Sequence, residues 1–130
     1  MNGIIILKFK HGIIPCTDIK VNYQTKEISI KNYTNQIMDR AFGVIENPTW
    51  EDYIDFLKDR CPPKDALIMK KLNLTDADPL DIVKITQGWQ PYDKFWLDIS
   101  SDRGDASNVY LAKIISKLVK HFKDKDLLKI

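Results

Sequence analysis

Few of the residue types that build catalytic, secreted or membrane proteins occur in this chain. It has two cysteines, two histidines and five glycines among 130 residues. Cys16 and Cys61 alone cannot form a disulfide framework. None is needed, because a domain of this length buries roughly two-thirds of the surface its unfolded chain exposes. The two thiols read as small, half-buried hydrophobes in a reducing compartment rather than as a redox pair. Neither His11 nor His121 has a Cys, Asp or Glu at metal-ligand spacing. The glycines stand singly, so a phosphate-cradling loop is hard to build. G-x-S-x-G, Walker A and G-x-G-x-x-G motifs are missing. No stretch has the apolar length needed to span a bilayer. The run Ile4-Ile5-Ile6-Leu7 is too short for a secretory core, and no basic region precedes it. The expectation is a cytoplasmic protein without catalytic residues, cofactor, metal or membrane association.

What is present suits one globular domain over 1–130 of α+β class. Hydrophobic residues make up 44% and charged residues 29% of the chain, with a net charge of +2. Those proportions are ordinary for a folded soluble protein. Ile4 to Phe9 is β-branched and apolar until Gly12 breaks it. Asp18 to Tyr23 alternates polar and apolar residues, and Lys26 to Lys31 repeats the pattern after a turn at Gln24-Thr25. An N-terminal β-meander follows, with Ile19, Val21, Ile28 and Ile30 facing the core. Residues 32–48 are rich in loop formers.

The clearest central helix starts at Thr49, where Asp52 completes a capping box with Asp in place of Glu. Trp50, Tyr53, Ile54 and Leu57 form its apolar stripe, and Cys61-Pro62-Pro63 ends it. A short helix is expected over 64–72. Another follows Asp78-Pro79, with Asp78 as the cap and Gly88 as the C-terminal stop. Lys94 to Ile99 reads as a buried strand. Leu111, Ile114, Ile115, Leu118 and Phe122 mark a C-terminal amphipathic helix.

Several features invite a functional reading. Asp76, Asp78 and Asp81 do not follow the calcium-loop spacing, and capping accounts for them better. Arg103-Gly104-Asp105 reads as a turn ahead of a helix. Lys113, Lys117 and Lys120 share one face of the last helix and could track a phosphate backbone. Only Tyr110 is nearby for stacking, so a solvated face is the plainer reading. The segment Trp89 to Trp96 is the richest local signal. Phe95 and Trp96 read as core. Trp89 and Tyr92, in a turn beside Gly88 and Pro91, are candidates for a binding patch, since such rings dominate interface hot spots.

Residues 40–99 also carry a run of short motifs. These are Gly43, Leu57-Lys58-Asp59-Arg60-Cys61-Pro62-Pro63, Leu72, the helix from Asp81 to Thr86, and Gly88 followed by Asp93-Lys94-Phe95-Trp96. In this order they resemble a small α/β unit that accompanies HipA-like toxin–antitoxin kinases in Firmicutes and their mobile elements. The family pattern has a second basic residue after the proline, where this chain offers only Lys64, and the kinase body is absent. The resemblance implies a non-enzymatic, protein-binding regulatory module of a bacterial mobile element, with Arg60, Trp89, Tyr92 and Asp93 at its site. The partner would be a toxin kinase. Two other functions stay open: a phage-encoded inhibitor of a host defence nuclease, and a nucleic-acid-binding protein using the lysine face.

Overall fold

A computed structural model describes residues 3–90 and 93–101. Its strands are β1 (Ile4–His11), β2 (Ile14–Asn22), β3 (Glu27–Asn32) and β4 (Phe95–Ser101). Between β3 and β4 lie a 3-10 turn (Ile37–Asp39) and three helices, α1 (Trp50–Arg60), α2 (Leu67–Lys71) and α3 (Pro79–Thr86). The four strands form one antiparallel sheet in the order β3-β2-β1-β4. The fold is therefore α+β. The C-terminal helix expected from the sequence lies outside the described residues.

The meander is a pair of hairpins with different turns. Gly12 and Ile13 alone join β1 to β2, and Gly12 has φ +62°. Tight two-residue hairpins demand such a backbone, which glycine adopts without steric cost. The second turn spans 23–26. There the Asn22 side chain accepts from the Gln24 and Thr25 amides, and Lys26 takes a left-handed φ of 60°.

Strand β2 starts earlier than its alternation suggested, at Ile14 rather than Asp18. Phe9 pairs with Thr17 but Lys10 with Pro15, which leaves Cys16 as the extra residue of a bulge. The bulge breaks the period-two pattern. Pro15 is tolerated because β3 pairs only from Thr17 onward, so no sheet hydrogen bond is missing on that side.

One sheet face is apolar. Leu7, Phe9, Ile19, Val21 and Leu97 are buried on it, and Ile28 and Ile30 pack against them as expected. Ile19 lies opposite Ile30, and Val21 opposite Ile28. Helix α1 covers this face with Tyr53, Phe56 and Leu57. Phe56 meets Phe9 edge-on at 5.4 Å, and the Tyr53 hydroxyl shares a 2.6 Å hydrogen bond with that of Tyr23. A second cluster, Ala66, Ile68, Met69, Leu74 and Ile82, sits under α2 and α3, with Cys61 touching both clusters.

The helix boundaries have local causes. Both hydrogen bonds of the Thr49–Asp52 capping box are present, and α1 stops at Cys61 ahead of the two prolines. Helix α2 is shorter than the expected 64–72, because a turn closed by the Ala66 amide on the Pro63 carbonyl occupies its first residues. Asp78 holds the N-cap position of α3, but its side chain makes no capping bond. The left-handed residue that ends α3 is Gln87, one position before the expected Gly88, and Gly88 continues with φ +70°.

Candidate protein-binding surface

Arg60 is the last residue of α1 and is buried. Its guanidinium reaches across to the segment between α3 and β4. Nε and Nη2 donate to the Gly88 carbonyl at 2.9 and 2.6 Å. Nη1 and Nη2 donate to the Asp93 carboxylate at 2.9 and 3.1 Å, and Nη2 also reaches the Phe95 carbonyl at 2.9 Å. The Phe9 ring lies 5.8 Å from the guanidinium carbon. Its ion-pair partner is Asp93, 33 residues away. A bidentate fork of this kind is the strong form of an arginine–carboxylate pair.

The same segment is tied at further points. Asp93 accepts from the Phe95 amide, and the Gln90 side chain donates to the carbonyls of Asp59 and Cys61. Gly88 allows a close approach: a Cβ there would lie 3.2 Å from Leu97. Phe95 stacks on Phe9 at 4.8 Å on the core side. Trp96 instead donates its indole N–H to the Gly12 carbonyl at 2.7 Å, stacks on Trp89 at 5.8 Å, and carries Lys10 over its ring.

Two of the four expected site residues are thus brought together. Arg60 and Asp93 form one clamp, with Trp89 half-buried close by in sequence and packed on α2–α3. Arg60 presents almost no surface. Tyr92 lies outside the described residues, as do Lys113, Lys117 and Lys120.

A surface the sequence reading passed over lies at the Gly12 end of the sheet. Ile13 and Ile14 at the hairpin tip are 94% and 59% exposed. The chain leaving β3 is fastened to the same end, since the Tyr33 amide donates to the Cys16 carbonyl and the Ala41 amide to the Thr17 hydroxyl. That stretch exposes Ile37, Met38, Val44 and Ile45, Met38 at 92%. Gly43 and Ile37 are adjacent, which brings the two halves of the stretch together. The only sequence signal was a set of apolar pairs, Ile13-Ile14, Ile37-Met38 and Val44-Ile45, in segments without helical or strand period.

The chemistry available is limited. Among the described residues no group of three or more His, Cys, Asp or Glu side chains could hold a metal ion. Asp76, Asp78 and Asp81 are exposed. Both cysteines are free. Burial pushes the Cys61 thiol up to about 11 and raises that of Cys16. Thiols so held stay protonated near neutrality and are poor nucleophiles. No described helix is long and apolar enough to cross a membrane. Comparison with protein-family models, curated proteins and solved structures finds no match to this chain.

Proposed function

We propose that this chain is a non-enzymatic protein-binding module that engages its partner through the apolar residues at the Gly12 end of the sheet. The observation that carries the reading is the exposure of Ile13 and Ile14 at the hairpin tip and of Ile37, Met38, Val44 and Ile45 in the stretch fastened to Cys16 and Thr17. Single exposed apolar residues are common, but a concentration of them on an otherwise charged surface marks interaction sites. The Arg60–Asp93 clamp serves this reading indirectly: it holds the chain entering β4, where the Lys94 carbonyl accepts from the Gly12 amide at the base of the tip. The likeness to accessory units of HipA-like systems supplies a partner class, the kinase of a toxin–antitoxin pair.

The test is affinity capture from a lysate of the native host with wild-type protein and with an Ile13→Asp/Met38→Asp variant, with nuclease added to one half of each sample. Both side chains are almost fully exposed, so the variant keeps the wild-type circular dichroism and unfolding midpoint. The expected result is a stoichiometric protein that survives nuclease and falls about tenfold with the variant, as loss of central apolar contacts does. Equal capture by both proteins, or recovery of nucleic acid alone, overturns the reading. The identity of the captured protein then separates a toxin kinase from a host defence nuclease.

A further inference from the structure

Strand β3 closes one side of the sheet, and among the described residues no strand lies beyond it. Which of its backbone groups face outward follows from the register. The Tyr33 amide donates to the Cys16 carbonyl, and Asp18–Lys31, Lys20–Ser29 and Asn22–Glu27 continue that phase as the hydrogen-bonded pairs with β2. The amides and carbonyls of Ile28 and Ile30 therefore point away from the sheet. Natural edge strands are usually blunted by proline, a bulge, an inward-facing charge or charged side chains along the edge, and β3 carries the last of these in Glu27 and Lys31. Residues 27–32 contain no proline, pair without a register shift, and turn Ile28 and Ile30 toward the core.

We propose that β3 pairs antiparallel with β3 of a second copy of this chain, with the two-fold axis at Ser29. This surface is separate from the apolar end of the sheet, and the inference stands independently of the function proposed above. The argument is self-complementarity. Centred at Ser29, the pairing sets Ile28 opposite the second copy's Ile30, and these are the residues whose backbone groups are free to bond outward. It also sets Glu27 opposite the second copy's Lys31, twice across the axis. Both side chains are exposed and lie on the sheet face away from the helices. Opposite charges directly across an antiparallel pair stabilise it and like charges destabilise it. The neighbouring registers allowed by the backbone lose this match. Centring on Ile28 sets Glu27 against Ser29, and centring on Ile30 sets Glu27 against Tyr33. On the helix side the pairing extends the half-buried Ile28–Ile30 row from one copy to the next.

Sedimentation velocity over a concentration series reads the association directly. Wild-type protein shows a concentration-dependent dimer. Glu27→Lys sets Lys against Lys31 and Lys31→Glu sets Glu against Glu27, so each alone weakens the dimer by about tenfold. An equimolar mixture of the two variants regains a dimer, because each mismatch becomes an opposite-charge pair. Ser29 and its counterpart form a non-hydrogen-bonded pair with Cα atoms about 4.5 Å apart, within reach of a disulfide. Ser29→Cys therefore cross-links on mild oxidation, whereas wild-type protein with Cys16 and Cys61 intact does not. Circular dichroism establishes that each variant is folded. A wild-type chain that stays monomeric throughout, single variants that dimerise as well as wild type, or a mixture that stays apart overturns the proposal.

Discussion

Arg60 can be buried because its fork meets three acceptors and an aromatic ring on three separate segments. Removing Arg60 takes the guanidinium away from a partly buried carboxylate and from two carbonyls. Arg60→Ala should lower stability by about 3 kcal/mol, the low end for a broken buried pair because Asp93 is about one-third exposed. Arg60→Lys should recover only part of this, since an ammonium cannot reproduce the planar fork. Urea unfolding of the three proteins measures both effects, and an unchanged midpoint for Arg60→Ala would contradict the clamp.

Buried protons make a second prediction at this scale. Burial raises Cys61 from 9.0 to about 11, and it also raises Tyr23 and Tyr53, whose hydroxyls bond each other. The folded chain then keeps protons that the unfolded chain releases. Stability is full below pH 9.0 and falls as pH climbs toward about 11. Urea midpoints taken across that interval should fall steadily, and less steeply in Cys61→Ala.

At the level of elements, α1 is held by signals within one turn of each end. Thr49 and Asp52 satisfy two amides reciprocally at its start. Thr49→Ala should cost about 1 kcal/mol in a thermal or urea melt. The boundaries of α1 and the phase of β3 were legible in the sequence for this reason: caps, prolines and side-chain alternation act between near neighbours. Elsewhere legibility failed. The bulge at Cys16 hid the first residues of β2, and the turn at Pro63–Ala66 shortened α2. Asp78 sits at the cap position without bonding there, so in that case residue type predicted the position but not the contact.

For the whole molecule, the sheet has one face committed to α1 and the core. Its other face carries Lys8, Lys10, Asp18, Lys20, Glu27, Lys31 and Asp98, with Lys10 paired to Asp98 at 3.1 Å. Interspersed signs make that face a weak anion-binding surface, so association is expected at the apolar end and at the β3 edge. The two are separable. Ile13→Asp/Met38→Asp should leave self-association intact, and Glu27→Lys should leave capture of a heterologous protein intact.

By itself the sequence determined the α+β class, the limits of α1, the inward rows of the meander and a clustering of special residues from Gly88 to Trp96. Each depends on a period, a cap or a breaker that acts within a few residues. Only the tertiary structure decided that Arg60 meets Asp93, 33 residues away, rather than an acid on its own helix. It alone decided that Ile13 and Met38 stay in solvent. An apolar residue outside any helical or strand period is buried or exposed according to what distant segment covers it, and no local pattern carries that information.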